Sequence, residues 1–381
     1  MRVGEEVTIE PAELVAGGEA LARVDGLPIF VGNVYPGDVA RVRLTEVKKG
    51  FARAELVRVD RASPLRRAAP CPVAEECGGC DWTALRLDAQ LAAKKRILTE
   101  SLRRIGKMSE IPPIAMHASP LNYRLRSRLH EDGDAVGFYA MRSNRVVPLP
   151  HECEVVGPVT ARHPIAGETW EIDGRVVAER RRPGGWPSAV SALDWRRDAA
   201  RPAGEDAGVP IALLGYTLST GAFFQVNRHL LETMLRRVIE IAGDGALAID
   251  LYAGVGFFTV PLTKRFARVI AVEGSPVSFR YLKLNTTAEA VHAPIERWIA
   301  QMPEADFVFL DPPRAGARRE VIDAVARNAR RICYLSCDPV TFARDANRLI
   351  GAGWRLASLD LLDLFPNTHH VETLSSFERV A

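Results

Sequence analysis

The stretch ALAIDLYAGVG, residues 246–256, decides the fold of this 381-residue chain. Its short apolar run indicates a strand buried on both faces, and its two glycines let the backbone turn tightly into the next helix. Further apolar runs at 268–273, 306–311 and 331–336 are separated by helical stretches, and another helix is expected over 230–242. This alternation predicts a mainly parallel sheet covered by helices, with ligands bound beyond the carboxyl ends of the strands. We therefore expect the functional residues just after each strand.

The ends of the first two strands indicate the class of ligand. Glu273 ends the second strand, 23 residues after Asp250, where an acidic side chain can accept hydrogen bonds from both hydroxyls of a ribose. A loop that binds a dinucleotide would carry a third glycine, but Thr259 takes that position. Gly254 and Gly256 alone also fit a plain turn from strand to helix. Combined with Glu273, they favour S-adenosylmethionine, which has no phosphate, over NAD.

Two later strand ends carry groups suited to pyrimidine chemistry. In DPPR, residues 311–314, the prolines stiffen the exit from the strand and fix the Asp311 carboxylate at the sheet edge. Arg314 in the fourth position argues against methylation of an amino group and leaves a pyrimidine ring as the candidate. The motif SCDP places Cys337 at the same edge, where a thiol can become a nucleophile. Cys333, inside the strand, is expected to be a buried core thiol.

Methylation of carbon 5 of uracil would explain why these residues occur together. Carbon 5 is a poor nucleophile until a thiolate adds to carbon 6, and a base must then remove the proton from carbon 5 so that the thiol can leave. Cys337 fits the nucleophile, and Glu372, at the start of a late strand, fits the base. Alone, Cys337 would be interpreted as an inert buried thiol and Glu372 as a surface carboxylate. Their assignment therefore depends on the other strand ends.

Residues 1–60 show a different pattern, in which apolar and polar positions alternate in short runs broken by glycine. Period-two alternation predicts several short strands, and a barrel of the OB type is the common nucleic-acid-binding form. A barrel that only braces the rest of the chain is the alternative. Over 41–67 nine Lys or Arg stand against three acidic residues, and over 94–107 six stand against one. These blocks fit an RNA partner and a solvated surface about equally well.

Composition limits the remaining possibilities. With 47% hydrophobic and 25% charged residues, the chain is globular and long enough for about two to three domains. We expect a helix over 88–105, strands over 121–225 and a long surface loop or irregular insertion over 180–210. No apolar run approaches the ~20 residues that a bilayer requires, and no signal pattern begins the chain. We therefore expect a cytoplasmic protein with no membrane partner and no obligate protein partner, with a monomer as the default.

Four of the six cysteines form a pattern of their own. Because an intracellular chain keeps its thiols reduced, clustered cysteines are interpreted as metal ligands or nucleophiles rather than as disulfides. Three lie close together and the fourth lies 73 residues further on, namely Cys71, Cys77, Cys80 and Cys153. Four thiolates in this pattern fit an iron–sulfur cluster or a structural zinc ion, and spacing alone does not separate the two. The uneven spacing is unlike the paired loops of zinc ribbons.

Five motifs occur in the order and context found in the RNA uracil-5 methyltransferases, and the chain resembles that family over nearly its whole length apart from about 160–210. The motifs are FFQVN at 223–227, DLYAGVG at 250–256, DPPR at 311–314, SCDP at 336–339 and HVET at 370–373. The N-terminal barrel is similar to the family's TRAM domain, and the four cysteines resemble the 4Fe-4S site of its ribosomal-RNA branch.

The resemblance implies a multidomain α/β fold in three parts. Residues 1–60 would form a TRAM-like OB barrel that binds RNA. Residues 61–229 would form a central mixed β domain with the iron–sulfur site and an RNA-binding surface. Residues 230–381 would form a Rossmann-like methyltransferase domain that uses S-adenosylmethionine.

The resemblance also implies roles for individual residues. Cys337 would be the nucleophile and Glu372 the general base. One of Phe223 and Phe224 would stack on a base flipped out of its RNA. The pocket for S-adenosylmethionine and substrate would be lined by Gln225, Tyr252, Gly254, Glu273 and Asp311. The 4Fe-4S cluster would be held by Cys71, Cys77, Cys80 and Cys153.

Three positions depart from the family's pattern. Ala253 and Val255 replace residues that are more frequent in the family but leave the glycine loop intact. Asp338 replaces the more usual Asn. It adds a negative charge beside Cys337, which could raise the pKa of that thiol and slow the reaction.

The implied activity is S-adenosylmethionine-dependent methylation of carbon 5 of a uridine in structured RNA. The TRAM-like domain and the four cysteines favour 23S ribosomal RNA over transfer RNA. Methylation of cytosine is disfavoured because that class usually carries a Pro-Cys nucleophile, which is absent around Cys337. A non-catalytic RNA-binding protein on the same fold is the alternative from another class, and the presence of Cys337, Glu372 and Asp311 argues against it.

Overall fold

The chain begins with a small curled sheet. The computed structural model describes residues 1–125, 127–132, 135–150, 152–158, 176–180, 188–191, 201–203, 211–218 and 222–380. The first six strands are β1 (Glu6–Ile9), β2 (Glu13–Leu14), β3 (Ala20–Val24), β4 (Leu27–Val31), β5 (Val39–Val47) and β6 (Ala52–Arg61). Their order is β1-β5-β6-β4-β3-β2, antiparallel except for β4 beside β6. Because β1 also contacts β3, the sheet curls around buried alternate residues such as Ile29, Val31 and Val42, which confirms the period-two prediction.

A long helix and a series of short strands follow. They are α1 (Leu87–Arg104), β7 (Ile114–His117), β8 (Ser127–Asp132), β9 (Ala135–Tyr139), β10 (Val146–Pro148), β11 (Glu152–Cys153), β12 (Gly157–Pro158), β13 (Val176–Arg180), β14 (Ser188–Ser191), β15 (Arg201–Ala203), β16 (Ile211–Leu213) and β17 (Tyr216–Leu218). Six of them form a second sheet in the order β10-β9-β8-β13-β14-β15. The helix α1 buries Ile97, Leu98 and Leu102 on one face, which confirms the helix predicted over 88–105.

The prediction of a loop over 180–210 is wrong in part. The strands β14 and β15 fall within that interval and pair with each other in the second sheet. Their sequences, SAVS and RPA, are too short to show an alternating pattern. Pairing with a neighbouring strand, rather than the local propensity of these residues, therefore accounts for their extended conformation. The remaining residues of the interval, after Arg180, lie outside the described part of the chain.

The C-terminal part builds the largest sheet. Its elements are α2 (Leu231–Ala242), β18 (Gly245–Leu251), α3 (Thr259–Leu262), β19 (Phe266–Glu273), α4 (Pro276–Asn285), β20 (Glu289–His292), α5 (Ile295–Trp298), β21 (Phe307–Leu310), α6 (Arg319–Asn328), β22 (Arg331–Ser336), α7 (Pro339–Gly351), β23 (Trp354–Leu362) and β24 (Glu372–Arg379). The order is β20-β19-β18-β21-β22-β24-β23-β7, with β24 antiparallel to its neighbours and the other pairs parallel. The predicted mainly parallel sheet is thereby confirmed. Of the helices in the described ranges, none is long and apolar enough to cross a lipid bilayer.

The strand register brings distant residues to one edge of this sheet. Neighbouring β18, β19, β21 and β22 are parallel, so their carboxyl ends meet. The strand β24 runs the other way, with Thr373 opposite Ser336. Its first residue, Glu372, therefore lies at the same edge as Cys337.

Candidate active site

A cavity of about 640 Å³ opens at the carboxyl edge of the large sheet. This volume lies within the usual range for sites that bind small molecules. Eight of the residues singled out in the sequence line it, namely Phe223, Gln225, Tyr252, Gly254, Glu273, Asp311, Cys337 and Glu372. The fold thus brings groups from distant parts of the chain into one site.

Cys337 lies half-buried on the cavity wall, directly after β22. Burial and the negative charges of Glu372 and Asp311 raise the pKa of the thiol to about 12, against the opposing effect of Arg314. Such a thiol is protonated at neutral pH, so it needs an added positive charge or a proton acceptor to become a nucleophile. Cys333, inside β22, is fully buried, as predicted.

The Asp338 carboxylate caps the helix that follows Cys337. Its Oδ1 accepts hydrogen bonds from the backbone N–H groups of Val340 at 3.0 Å and Thr341 at 2.8 Å, at the start of α7. An acidic residue suits this position because the first N–H groups of a helix have no partner within it. The acidic groups that act most strongly on the pKa of Cys337 are Glu372 and Asp311. The prediction that Asp338 also raises this pKa stays a prediction, and Asp338 is not among the groups with the largest effects.

Two carboxyl groups lie near the thiol. Glu372 begins β24 and is 6% exposed, and burial followed by the charge of Asp311 raises the pKa of Glu372 well above its usual value. Burial, with a smaller effect from Asp250, raises the pKa of Asp311 to about 7. Gln225 Nε2 donates a hydrogen bond to Asp311 Oδ2 at 3.3 Å. A carboxylate whose pKa is raised holds a proton more tightly than an ordinary carboxylate, which is the property that a general base needs.

Arg314 supplies positive charge beside these groups. Its guanidinium donates to Nδ1 of His370 at 2.8 Å. Burial, together with the neighbouring His369 and Arg314, lowers the pKa of His370 to about 3, so the ring is neutral and can accept this hydrogen bond. The charge of Arg314 also lowers the pKa of Cys337 and of Glu372. Sequence reasoning gave no role to His370, although this residue begins the HVET motif.

The loop after β18 has a strained backbone. Tyr252 has φ of +64°, in the left-handed region that few residues other than glycine adopt, and Gly254 has φ of +58°. Glu273, at the end of β19, accepts hydrogen bonds from the backbone N–H groups of Gly254 at 2.7 Å and Ser275 at 2.5 Å. Each carboxylate oxygen keeps a second lone pair that a ligand can use. The loop and Glu273 are therefore held together at the cavity wall.

The Asp250 side chain, on β18, is hydrogen-bonded to the start of the helix that follows this loop. It is 1% exposed, and its Oδ2 accepts a hydrogen bond from Thr259 Oγ1 at 2.5 Å. Burial raises the pKa of Asp250 to about 7, and its Oδ1 has no hydrogen-bond partner among the residues that the structure describes. Thr259, which in the sequence only excluded a third glycine, thus ties the start of α3 to the strand.

The two neighbouring phenylalanines have different environments. Phe223 is 60% exposed and lines the cavity, whereas Phe224 is 1% exposed. The Phe224 ring packs against Tyr216 and Phe257, with ring centroids 5.7 and 5.3 Å away. Phe223 is therefore the one whose ring is free to stack on a ligand, which the sequence left open.

The four cysteines line a second, smaller cavity, and they are Cys71, Cys77, Cys80 and Cys153. Burial raises the pKa of Cys77, Cys80 and Cys153, and other cysteines of the quartet raise each pKa further. The backbone N–H of Gly79 donates to Cys77 Sγ at 3.4 Å. Within the described ranges, no group of three or more His, Cys, Asp or Glu side chains is placed to hold a metal ion. The structure thus brings the quartet to one cavity without defining what the thiols bind.

Sequence models of known families match three parts of the chain. The tRNA (uracil-5-)-methyltransferase model matches residues 300–380, the TRM5/TYW2 methyltransferase domain matches residues 227–331, and the TRAM domain matches residues 2–57. The TRAM match covers the curled N-terminal sheet, and the other two cover most of the large sheet and the cavity at its edge. The matched segments thus agree with the architecture of the chain.

Comparison with individual proteins extends this match to the whole chain. The chain is 31% identical to the 23S rRNA (uracil(1939)-C(5))-methyltransferase RlmD of Pseudomonas aeruginosa, over 99% of this chain and 95% of that protein. It is 33% identical to an uncharacterized RNA methyltransferase of Corynebacterium efficiens, again over 99% and 95%. Its fold matches the tRNA (uracil-54, C5)-methyltransferase of Pyrococcus abyssi, solved in complex with S-adenosyl-L-homocysteine, with a TM-score of 0.71 and 23% identity over 97% of this chain and 99% of that one.

The fold, the cavity and these matches define an RNA-modifying methyltransferase. Within that class, the chain belongs to the RNA (uracil-C5) methyltransferase family. The resemblance drawn from the motifs is confirmed, as is the α/β architecture with an N-terminal TRAM domain.

Proposed function

We propose that this protein methylates carbon 5 of a uridine in RNA, with S-adenosylmethionine as the methyl-donor substrate and with a covalent bond between Cys337 and the base. The observation that carries the proposal is that Cys337, Glu372 and the loop beside Glu273 line the same cavity. A thiol nucleophile, a carboxylate base and a site for the methyl donor are the parts that this reaction needs.

The reaction proceeds through an adduct on Cys337. The thiolate of Cys337, whose proton has passed to solvent, adds to carbon 6 of uracil, and the electron pair of the carbon–carbon double bond moves to carbon 5 and the O4 enolate. Carbon 5 attacks the methyl group, whose bond to the sulfonium sulfur breaks to leave S-adenosylhomocysteine. Glu372 then takes the proton from carbon 5, and the freed electron pair re-forms the double bond and expels Cys337 as a thiolate. A methyl group has replaced a hydrogen, and one proton is released.

Cys337 needs activation because the pKa of its thiol is about 12 in the free protein. Two positive charges can lower that pKa: the guanidinium of Arg314 and the sulfonium group of the methyl donor. Binding of the donor and formation of the thiolate are therefore coupled in this proposal. The nucleophile forms when the donor is in place.

The remaining residues at the cavity have roles that follow from their chemistry. Glu273 accepts hydrogen bonds from the ribose hydroxyls of the donor, next to the loop of Tyr252 and Gly254. Gln225 and Asp311, joined by their hydrogen bond, offer the donor and the acceptor that a uracil edge requires. In this proposal, Gln225 and Asp311 select uracil as the base by hydrogen bonds to its edge.

RNA is the macromolecular substrate in this proposal. Residues 1–60 and the surface of 61–229 bind the RNA, and 230–381 carry out the reaction. The exposed ring of Phe223 stacks on the base once it has left its helix. Relatives that match nearly the whole chain include enzymes named for 23S rRNA, which supports 23S rRNA as the substrate, with tRNA as the alternative.

We propose that the four cysteines hold a 4Fe-4S cluster. Each iron of such a cluster takes one thiolate, and the four thiols that would supply them line one cavity. Methyl transfer moves no electrons, so no step of the reaction passes through this site.

Transfer of labelled methyl groups tests the proposal. Protein purified without oxygen is incubated with methyl-labelled S-adenosylmethionine and total RNA from a methylation-deficient strain, and the RNA is sized and digested to nucleosides. Label recovered as 5-methyluridine in 23S rRNA supports both the reaction and the substrate. Label in tRNA supports the reaction and overturns the substrate.

Cys333, inside β22, and Cys337, directly after it, provide a matched pair of variants. Cys337→Ala is expected to bind RNA and to transfer no methyl group. Cys333→Ala, in the core of the same strand, is expected to retain methyl transfer. Unchanged labelling with Cys337→Ala, or no labelling by wild-type protein that carries its cluster, would contradict the mechanism.

A further inference from the structure

The loop that leads to Glu372 is held from outside the large sheet. This β23–β24 loop comprises residues 363–371. Lys94, from α1, is fully buried, and its Nζ donates to Asp363 Oδ1 at 2.5 Å and to the carbonyl oxygen of Phe365 at 2.9 Å. These contacts fix the first half of the loop.

Asn367, at the centre of the loop, makes three hydrogen bonds through its side chain. Its Oδ1 accepts from Arg67 at 2.9 Å and from Gln90 at 3.1 Å, and its Nδ2 donates to Glu154 Oε2 at 2.8 Å. Arg67 and Glu154 also form an ion pair at 2.7 Å. Asn367 is fully buried, and a fully satisfied buried polar network of this kind holds its members rigidly.

The backbone of Asn367 makes three further hydrogen bonds. Its N–H donates to Gln90 Oε1 at 2.7 Å, and its carbonyl oxygen accepts from the N–H groups of Asp81 at 3.1 Å and Trp82 at 3.0 Å. Its φ is +67°, a left-handed conformation that Asn tolerates better than most residues. The side-chain hydrogen bonds and the left-handed backbone conformation therefore both favour Asn at position 367.

The partners of Asn367 lie next to the cysteines in sequence. Asp81 follows Cys80 and Glu154 follows Cys153, and Asn367 itself lines the cavity of the quartet. Asp81 also accepts a hydrogen bond from the backbone N–H of His369 at 3.0 Å. The segments that contain Cys80 and Cys153 therefore hydrogen-bond to the loop at two residues, Asn367 and His369.

The far end of the same loop reaches the active-site cavity. His370, which accepts the hydrogen bond from Arg314, comes directly after His369, and Glu372 comes two residues later. Phe365, from the first half of the loop, also lines the active-site cavity. One short loop thus contacts both cavities.

We propose that Asn367 is a positioning residue that ties the four-cysteine segments to the methyl-transfer site. This inference rests on the proposed function of Glu372. When the backbone around Cys80 and Cys153 is fixed, the residues that follow these cysteines, Asp81, Trp82 and Glu154, hold Asn367 in place. The loop then holds His370 and Glu372 in position. A shift of about 1 Å at a catalytic group can cost roughly a hundred-fold in rate, so order in the cysteine segments sets the rate of the catalytic step rather than the affinity for RNA.

Asn367→Ala tests this role through steady-state kinetics and binding. We expect kcat to fall about ten- to a hundred-fold, with unchanged dissociation constants for RNA and S-adenosylmethionine. Gly353→Ala is the control, because it also places an alanine at a positive φ, +87°, in an exposed turn before β23 where an added Cβ meets nothing within 4 Å, and so carries a backbone cost without the network. Equal kcat values for Asn367→Ala and wild type, or equal losses in both variants, would overturn the inference.

A charge-conserving exchange separates positioning from general loss of folding. Asn367→Asp places two carboxylates against each other, and we expect it to lower kcat. Adding Glu154→Gln restores one donor and one acceptor across the same contact and leaves the net charge of the network unchanged. We expect the double variant to recover most of the kcat, and failure to recover would count against the proposal.

Hydrogen exchange gives a readout that does not depend on methylation. Because coupling between two sites is reciprocal, Asn367→Ala is expected to speed amide exchange in the loop and also over residues 77–82. Removal of the iron by a chelator is expected to speed exchange in the loop. Independent exchange of the two segments would overturn the inference even if methylation is confirmed, whereas coupled exchange in a protein that transfers no methyl group would leave the coupling standing and refute the proposed function.

Discussion

The reactive side chains of this site share one low-polarity cavity, and their protonation states depend on one another. Cys337, Glu372 and Asp311 all have raised pKa values, with burial as the main cause. The second cause is the charge of a neighbouring carboxylate, which is Glu372 for Cys337, Asp311 for Glu372 and Asp250 for Asp311. Arg314 is the cation that lowers two of these pKa values. In the free protein the thiol therefore stays protonated, which protects it from side reactions until positive charge arrives with a ligand.

This dependence predicts the reactivity of Cys337 towards iodoacetamide. S-adenosylmethionine carries a sulfonium charge, and S-adenosylhomocysteine, which lacks its methyl group, does not. We expect S-adenosylmethionine to speed alkylation of Cys337 by about ten-fold for each pKa unit that it removes, measured by mass spectrometry of the peptide. Equal rates with the two ligands would show that the donor's charge does not activate the thiol.

Asp250 predicts how stability changes with pH. Its pKa is about 7 in the folded protein and close to 3.8 when unfolded, so the folded state binds more protons between these values. Stability therefore falls as pH rises through that window. Asp250→Asn removes this effect, and we expect it to be about 1–3 kcal/mol more stable than wild type at pH 8, with the difference fading towards pH 4.

The control for this prediction is Asp25→Asn. Asp25 is exposed and lies in a left-handed turn that Asn also tolerates. We expect the thermal unfolding temperature of this variant at pH 8 to equal that of wild type. A destabilised Asp250→Asn protein at pH 8 would mean that the ionised carboxylate is needed for the fold.

At the level of helices and strands, the ends of the elements matter most. The strands β18, β19, β21 and β22 deliver Tyr252, Glu273, Asp311 and Cys337 to one edge of the sheet. The helix α7 begins at that edge, and its cap is Asp338. The start of this helix therefore fixes the position of Cys337, which directly precedes the cap.

Substitution of Asp338 separates capping from an electrostatic effect on the thiol. Asp338→Ala is expected to lower the free energy of unfolding by about 1 kcal/mol, because two N–H groups of α7 lose their acceptor. Asp338→Asn keeps an acceptor and is expected to leave both stability and the alkylation rate of Cys337 unchanged. Faster alkylation in Asp338→Asn would restore the idea that this charge raises the pKa of Cys337.

The helices and strands were predictable from the sequence where the pattern of apolar residues is local. Period-two runs predicted the N-terminal strands, and apolar runs separated by helices predicted the large sheet and the location of its site. The pairing of β7 with β23 was not predictable, since it joins residues far apart in sequence and neither strand shows a pattern for its partner. The two strands within 180–210 were missed for a different reason, because SAVS and RPA are too short to show an alternating pattern.

Across the whole molecule, the site is assembled by contacts that no single segment encodes. The sequence identified Cys337, Glu372 and the cysteines, because their chemistry is visible in the residue types. It did not distinguish Phe223 from Phe224, since that depends on which ring the core covers, and it gave no sign of Asn367, whose partners come from α1 and from both cysteine segments. Tertiary packing decides these roles.

The central claim is that Cys337 forms a covalent bond to the base and that Glu372 releases it. Glu372→Gln removes the base but keeps the nucleophile, so the methylated adduct should accumulate. The measurement is mass spectrometry of peptides after incubation of Glu372→Gln protein with S-adenosylmethionine and RNA, with nuclease and protease digestion under denaturing conditions. The account predicts a methylated uridine nucleotide attached to Cys337 and no adduct in the double variant with Cys337→Ala. Full turnover of Glu372→Gln without an adduct, or an adduct on another residue, would contradict it.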